Sequence, residues 1–327
     1  MSRDRVALGI ALGYAADRLL GDPRRGHPVA GFGRVAAGLE QRIWGSSRSR
    51  GTAYEVVLVG GAVGAGLLLD RLPAATRVPV VAAVTWVVLG GRSLTKEAQS
   101  MSGLLVAEDL DGARLRVRNL VGRDPSALDA DELARATVES VAENGADAVV
   151  APLFWGAVAG LPGLVGYRAI NTLDAMVGHR TPRHERFGWA AARVDDAANW
   201  LPARLTVLAT AAATGSVDGA RSVLATVRRD AGRHPSPNAG PVEAAFAAAL
   251  GRSLGGSNSY AGVVEDRGRL GDGPPVTVAD IAPASRLQTR IGLLSLGALL
   301  GARAVSRAAL RRRRRARPGR PRPSSRR

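Results

Sequence analysis

The chain has 327 residues, 46% of them hydrophobic, and carries a formal net charge of +17. It contains no cysteine, which excludes disulfide bonds, thiolate catalysis and cysteine-ligated zinc or iron–sulfur sites. Apolar residues are concentrated in blocks with little charge, where Ala, Gly, Val and Leu dominate, and this composition suits close helix packing in lipid.

Apolar segments recur along the chain at lengths that favour embedding in a membrane. A full helical span needs about 20 apolar residues, and shorter segments are more typical of core helices or re-entrant pieces. The sequence therefore predicts an all-α, polytopic integral membrane protein with four to six membrane-embedded segments, some short or broken, and helical polar loops. The candidate segments are residues 6–20, 54–69, 78–91, 148–170, 201–214 and 291–302.

Prolines and glycines change the structure expected for three of these segments. Pro73 and Pro79 flank the connection between the second and third segments, which predicts a helical hairpin there. Pro152 and Pro162 are expected to break or kink the fourth segment. The glycine-rich run at 60–66 lies inside an apolar block, so small-residue helix packing is favoured over a nucleotide-binding turn.

We interpret residues 1–305 as a single membrane-embedded domain with three polar regions, at 92–147, 171–200 and 215–290. The tail, 306–327, is rich in Arg and Pro and is predicted to be disordered because it cannot bury a core. Arginine clusters after an apolar helix typically stay on the cytoplasmic side and contact anionic lipid. That interpretation is favoured over nucleic-acid binding and predicts a cytoplasmic C-terminus.

Three carboxylates, Glu139, Glu143 and Asp147, recur every four residues, with Asn144 beside them. On a helix this spacing stacks the three along one face, where like charges repel each other. A solvated acidic face is one interpretation. A cavity or a bound cation is the other, because an apolar run begins at Ala148 and acidic groups at a membrane boundary seldom face lipid.

A second polar cluster begins with Asn171 and Asp174, whose i, i+3 spacing lets both oxygens reach one hard cation such as Mg²⁺. Acidic residues mixed with arginines are typical of a site for a nucleotide or a phosphorylated substrate. Cross-paired salt bridges in a loop are the alternative. The other polar residues of this cluster are Arg193, Asp195, Asp196, Asn199 and Arg204.

Two further segments combine prolines with polar residues. Asp22 and His27 lie in "DRLLGDPRRGHPV", residues 17–29, which specifies a rigid turn, and a purely structural role is the alternative to a functional one. The second segment is an extended arm that precedes a predicted helix, and the N-terminus of that helix could receive an anion. Its polar residues are His234, Ser236 and Asn238.

Four stretches together resemble the CobD/CbiB family of cobalamin biosynthesis, the adenosylcobinamide-phosphate (cobinamide) synthases. They are "DRLLGDPRRGHPV", "LVGRDPSALDADELARATVESVAENGADAVVAPLFWGAVAG", "YRAINTLDAMVGHRTPRHERFGWAAARVDDAANWLPARLT" and "HPSPNAGPVEAAFAAALGRSLGGSNSYAG". The stretches stand in the family's order and cover most of residues 15–262. The departures, which include His179 at a position where an aromatic is common and the arginine-rich tail, remove no motif.

The resemblance implies a multi-pass enzyme of the cell (inner) membrane that acts late in the corrin pathway. It would join (R)-1-amino-2-propanol or its O-phosphate to the free propionate of adenosylcobyric acid, using ATP and Mg²⁺, to give adenosylcobinamide or its phosphate. A carboxylate is a poor electrophile, so this amide ligation requires activation, as an acyl phosphate, before the amine attacks. The implied partners are the corrinoid, the amine and the lipid bilayer; no nucleic acid is expected, and a complex with other late corrin-pathway enzymes is left open.

On this hypothesis the candidate residues fall into three groups. Those that would hold Mg²⁺ are Asn171, Asp174 and Asp147. Those expected to take part in catalysis are Glu139, Glu143, Asn144, Arg193, Asp195, Asp196 and Arg204. Those expected to contact the amine or the corrin side chains are Asp22, His27, His234, Ser236 and Asn238.

The separation of the two acidic clusters along the chain constrains the fold. If residues 149–170 formed one straight helix, its ends would lie about 33 Å apart, and Glu143 and Asp174 would be on opposite membrane faces. A fold-back at residues 161–163 would let them share a site. We favour this hairpin because non-helical backbone is tolerated in a membrane where protein buries it.

Two other functions remain as alternatives. Asn-x-x-Asp at 171–174 with a second acidic pair would suit the Mg²⁺–diphosphate chemistry of a membrane prenyltransferase. A non-catalytic membrane transport protein with a buried ion site would fit the broken apolar segments. The matching stretches outside 171–196 argue against the first, and metal-dependent ATP consumption coupled to a new amide would exclude the second.

Overall fold

The computed structural model describes residues 2–23, 26–122, 124–179, 181–260 and 263–315. Of these described residues 76% are helical and few are in strands, as the predicted all-α class requires. The α-helices are, in chain order, Ser2–Leu20 (α1), Pro28–Ile43 (α2), Arg48–Leu69 (α3), Arg77–Val88 (α4), Gly91–Val106 (α5), Leu110–Val117 (α6), Ala130–Gly145 (α7), Ala151–Ala159 (α8), Leu161–Leu173 (α9), Trp189–Ala213 (α10), Val217–Asp230 (α11), Ala239–Leu250 (α12) and Ile281–Arg315 (α13).

Several short elements complete the described part of the chain. π-Helical turns at Ala146–Val150 and Asp174–Gly178 follow α7 and α9, and 3₁₀ turns at Ala231–Arg233 and Val278–Asp280 precede α12 and α13. Two strands, Leu254–Tyr260 (β1) and Val263–Leu270 (β2), pair antiparallel. The polar region 215–290 is therefore only partly helical, and this hairpin corrects the expectation of helical polar loops alone.

Two helical stretches in the described part of the chain are long and apolar enough to cross a membrane, Arg48–Leu69 and Arg77–Val106. The second is interrupted at residues 89–90, between α4 and α5. The predicted count of four to six embedded segments is not confirmed, because the other apolar segments are short, broken or part of longer helices that carry charge. The segment 148–170, for example, is divided between a π-helical turn, α8 and α9.

The packing of the apolar helices differs in part from the sequence prediction. α4 packs mainly against α1, and α3 mainly against α9 and α10, so α3 and α4 are not the simple hairpin predicted from the flanking prolines. Gly9 and Gly13 allow the close approach of α1 to α4, since a Cβ on Gly13 would lie 2.5 Å from the Ala82 carbonyl oxygen. Of the glycines at 60–66, Gly66 alone makes such an approach, against Pro162.

The largest apolar core lies where α5, α7, α12 and α13 meet, and it includes the buried side chains of Met101, Leu133, Phe246 and Ile291. α7 begins at a capping box, in which the Asp129 side chain accepts from the backbone of Glu132 and the reverse bond is also present. This capping box sets where α7 begins and therefore where the carboxylates along that helix lie.

The last helix, α13, continues through Arg315 and so includes the first part of the segment predicted to be disordered. Residues 316–327 lie outside the described part of the chain.

Candidate functional site

Helices α8 and α9 form a tight hairpin that brings the two predicted acidic clusters together. The chain reverses at Gly160, which has a positive φ of 69°. Gly163 lets the two helices meet closely, because a Cβ there would lie 2.2 Å from the carbonyl oxygen of Trp155. At the open end of the hairpin Asn171 Nδ2 donates to Asp147 Oδ2 over 3.3 Å. The predicted fold-back is confirmed.

The two central aspartates lie in the two π-helical turns. Asp147 belongs to the turn before α8 and Asp174 begins the turn after α9. π-Helical turns are rare and occur frequently at functional sites, because the extra residue redirects a side chain away from the regular helical ladder. Gly178 leaves space for the redirected carboxylate of Asp174, since a Cβ on Gly178 would lie 1.9 Å from Asp174 Oδ1.

Helix α10 adds a third set of polar groups to the open end of the hairpin. Asn199 Nδ2 donates to Asp195 Oδ2 over 2.9 Å. The Tyr167 hydroxyl is 2.8 Å from Asn199 Oδ1 and 3.1 Å from the carbonyl oxygen of Asp147. The Trp155 indole also donates to the backbone of Ala198. These bonds fix α10 against the hairpin, so that Asp147, Asp174 and Asp195 converge.

The converging carboxylates, each partly buried, disfavour one another's negative charge. Burial, reinforced by the charges of Asp195, Glu143 and Asp174, raises the pKa of Asp147 well above its usual range. Burial and the charges of Asp196 and Glu143 raise the pKa of Asp174 to about 6. Burial and the charge of Asp174 raise the pKa of Asp195 to about 7, although Asn199 and Asn171 oppose the shift. The cluster therefore favours a proton or a cation.

Glu55 is a further member of this cluster that sequence reasoning missed. It lies on α3, is 3% exposed, and neither of its carboxylate oxygens has a hydrogen-bond partner among the residues that the structure describes. The charges of Asp174 and Asp195 act on it. The signal was a single carboxylate inside the apolar segment 54–69, because an ionisable residue in such a segment usually has a function.

The predicted column of Glu139, Glu143 and Asp147 is divided in the structure. Glu143 faces the cluster, since its charge acts on both Asp147 and Asp174. Glu139 instead forms a buried ion pair with Arg135 at 3.1 Å and accepts from the backbone N–H of Gly255 at 2.9 Å. The structure thus places Glu139 beside β1 rather than with the other two. The π-helical turn interrupts the regular four-residue spacing before Asp147.

Asn144 lies on the same helix and donates to the Ser140 hydroxyl over 2.6 Å. Arg193, the arginine expected to face phosphate near Asp195, is exposed at the start of α10. Neither residue has a bond to the carboxylate cluster among those described.

The extended arm before α12 lies against α10, as a shared site requires. Arg204 donates to Asn238 Oδ1 over 2.9 Å, and Asn238 Nδ2 donates to the carbonyl oxygen of Asp196 over 2.8 Å. Ser236 Oγ accepts from the backbone N–H groups of Asn238 and of Ala239, the first residue of α12. The structure therefore joins four predicted residues of the arm and α10 in one hydrogen-bonded group next to the cluster.

His234 and His27 have local roles. His234 is buried, accepts a bond from the backbone N–H of Ser236 at Nδ1, and places Nε2 3.8 Å from Glu243. His27 caps α2, because its Nδ1 accepts from the backbone N–H of Val29 over 3.2 Å.

Asp22 is not among the charges that act on the aspartates of the cluster. Its Oδ1 is buried and has no hydrogen-bond partner among the described residues. The charges of Asp22 and Asp147 both act on the guanidinium of Arg168, a residue of α9 that sequence reasoning did not select. Arg168 is a cation within the apolar segment 148–170, and that position was the available signal.

The donor set fits Mg²⁺ in its chemistry. Oxygen ligands are those that Mg²⁺ prefers, and one or two carboxylates with substrate phosphates and water are usually sufficient. Asp147, Asp174 and Asp195 supply such oxygens, and Asp195 Oδ1 is buried with no hydrogen-bond partner in the described ranges. In the described part of the chain no three acidic or histidine side chains stand in a ready ligand arrangement.

Comparison with known proteins identifies the family of this chain. The model of the CobD/Cbib protein family matches residues 10–288. The "Cobalamin biosynthesis protein CobD" of Mycobacterium tuberculosis is 49% identical over 280 residues, which are 85% of this chain and 90% of that protein. The proteins of the same name from Chromobacterium violaceum and Rhodobacter capsulatus are 44% and 45% identical, over 87% of this chain and 92% and 91% of their own lengths. No solved structure gives a significant match.

The match spans most of the chain and includes every candidate residue between Asp22 and Asn238. The chain belongs to the CobD/CbiB family.

Proposed function

We propose that this protein is an ATP- and Mg²⁺-dependent amide ligase of cobalamin biosynthesis. It joins (R)-1-amino-2-propanol, or its O-phosphate, to the free propionate of adenosylcobyric acid and gives adenosylcobinamide or its phosphate. The relatives are named as cobalamin biosynthesis proteins, which supports a corrinoid substrate. The observation that carries the proposal is the convergence of Asp147, Asp174 and Asp195 at the open end of the α8–α9 hairpin.

The proposed reaction has two steps. A propionate oxygen of the corrinoid attacks the γ-phosphorus of ATP, ADP leaves, and an acyl phosphate forms. The amine then attacks the acyl carbon, phosphate leaves, and the amine nitrogen loses a proton to a base. Both steps concentrate negative charge on phosphate oxygens, so a site that gathers cations and donors around those oxygens accelerates them.

The residues of this chain have distinct roles in the proposal. Asp147, Asp174 and Asp195 hold Mg²⁺, which neutralises phosphate charge when it is bound. The charge of Glu143 acts on two of these aspartates, and we assign Glu143 as the base that takes the proton of the amine. Arg204, positioned by Asn238, offers a cation beside α10 for a phosphate group.

The cell (inner) membrane is the proposed location, with several passes and a cytoplasmic C-terminus. The two helical stretches long and apolar enough to span a bilayer support this proposal. The arginine-rich tail supports the orientation, since positive charge is retained on the cytoplasmic side.

The first test is a ligation assay on membranes that contain the protein. Adenosylcobyric acid, ATP and Mg²⁺ are supplied with aminopropanol or with its O-phosphate, and corrin masses are measured. The expected result is a mass gain of one amine that depends on ATP and on the metal. Folded protein that gives no gain with either amine would contradict the proposal, and turnover of an isoprenoid diphosphate would favour the prenyltransferase.

A further inference from the structure

A cavity of about 290 Å³ lies between α2, α3, α4 and α9, apart from the carboxylate cluster. Its walls are almost entirely apolar. They include Phe32 of α2, Ala62 of α3, Val87 of α4 and Ala169 of α9. A cavity of this size and character is typical of a site that binds an apolar group.

Helix α9 separates this cavity from the proposed active site. Val165, Arg168, Ala169 and Thr172 line the cavity, and their spacing of three and four residues places them on one face of the helix. Tyr167 and Asn171 face the other way, since they bond to Asn199 and Asp147. The cavity is therefore a second site, and its occupant need not take part in the ligation.

Arg168 is the one charged side chain among the described residues that line the cavity. Its Nε is buried and has no hydrogen-bond partner, and no ion pair within 4.0 Å joins it to another described residue. Asp22 and Asp147 act on it only through space. A partly buried cation without direct partners among the described residues is costly, so the site is suited to an anionic group that would contact the guanidinium.

The helices that line the cavity indicate the apolar part of the ligand. α3 and α4 both line the cavity, and both belong to the stretches long and apolar enough to span a membrane. A cation beside an apolar cavity in such a setting matches an amphiphile with an anionic head. We propose that the cavity binds one anionic phospholipid, with part of an acyl chain between α2, α3, α4 and α9 and the phosphate against Arg168.

Native mass spectrometry of the purified protein in a neutral detergent tests this proposal. Phosphatidylglycerol and phosphatidylcholine with identical chains are added separately. The expected result is one retained phosphatidylglycerol per chain and weaker retention of phosphatidylcholine. In Arg168→Gln, retention of phosphatidylglycerol falls by about tenfold, as expected for one lost charge-assisted contact, while retention of phosphatidylcholine is unchanged.

Ala83→Phe is expected to fill the cavity and remove both lipids, since Ala83 is an exposed residue of its lining. Ala65→Phe is the matched control, because Ala65 is an exposed alanine of α3 that does not line the cavity. Full retention in Ala83→Phe, equal retention of both lipids, or no effect of Arg168→Gln would overturn the proposal.

A crosslinking experiment on the unmodified chain keeps the test independent of how the variants fold. Phosphatidylglycerol with a photoreactive group on its acyl chain is expected to label residues 83–88 or 165–172. Labelling confined to other surfaces would contradict the proposal. Displacement of the lipid by millimolar inorganic phosphate or aminopropanol O-phosphate would instead identify a site for a small phosphate. Because every readout is binding, failure here leaves the proposed ligase activity untouched.

Discussion

Asn171 donates a hydrogen bond to Asp147 across 3.3 Å, although 24 positions separate the two residues along the chain. The bond is possible only because α8 and α9 fold back on each other at Gly160. It joins the end of one acidic cluster to the start of the other, and α10 then brings Asp195 to the same place. The proposed site thus depends on one helical hairpin as much as on the carboxylates themselves.

Replacing Asp174 with Ala is expected to abolish the proposed ligation without loss of protein from the membrane. The substitution removes a carboxylate that we assign to Mg²⁺. A bound metal ion contributes roughly several kcal/mol of charge stabilisation to the transition state, and this contribution is lost if the ion no longer binds. The measurement is amide formation per unit of membrane protein. Asp218→Ala is the control, because that side chain is 95% exposed on α11. Retained activity in Asp174→Ala would remove the residue from the metal site.

The Glu55→Gln variant is expected to be more stable and less active. Burying one carboxylate beside Asp174 and Asp195 opposes folding, so an amide of the same shape relieves the repulsion. If Glu55 belongs to the site, the ligation rate falls by about tenfold or more while the melting temperature rises, a trade-off seen at functional positions. Glu185→Gln, at an exposed position, is the control. Unchanged activity in the stabilised variant would exclude Glu55 from the site.

The hairpin is expected to be sensitive to a single methyl group. In Gly163→Ala the new Cβ would lie 2.2 Å from the Trp155 carbonyl oxygen, so α8 and α9 must separate. Overpacking of this kind costs about 1–3 kcal/mol of unfolding free energy. Gly64→Ala is the matched control, because nothing lies within 4 Å of its added Cβ. Equal melting temperatures for Gly163→Ala and the unmodified protein would contradict the close approach of the two helices.

Asp230 is expected to stabilise the fold at neutral pH and to lose this effect in acid. Its carboxylate accepts from Arg229 at 2.7 Å and from the backbone N–H of Gly271 at 2.9 Å, which joins the end of α11 to the residue that follows β2. The bond from Arg229 is the main cause that lowers the pKa of Asp230. Because the pKa of Asp230 is lower in the folded state, its contribution to the free energy of unfolding is complete above the pKa of the unfolded state, about 3.9. That contribution is lost as the pH falls through the folded-state pKa.

Asp230→Asn should therefore lower the free energy of unfolding by about 1–3 kcal/mol at pH 7. The difference from the unmodified protein should shrink below about pH 4, where the unfolded carboxylate also binds a proton. Chemical denaturation at several pH values measures both quantities. A difference that stays constant from pH 7 to pH 3 would mean that Asp230 acts through packing rather than charge.

Local features of the chain were accessible from the sequence because neighbouring residues decide them. The helical class, the capped start of α7 at Asp129 and the break in the segment 148–170 follow from capping chemistry, apolar patterning and proline and glycine positions. The residues of the acidic clusters were also identified, since carboxylates beside apolar runs are unusual. The family resemblance from four ordered motifs is confirmed by the match over residues 10–288.

The sequence by itself determined the helices, the polar residue types and the family, because these depend on order along the chain. Tertiary structure alone decided that Glu143 faces the cluster while Glu139 pairs with Arg135 and Gly255, since the elements that pack against α7 determine which groups each carboxylate meets. It also brought Glu55 of α3 to the aspartates and placed Arg168 in an apolar cavity. Which groups meet across helices depends on packing angles and close glycine contacts, and spacing along one helix does not contain that information.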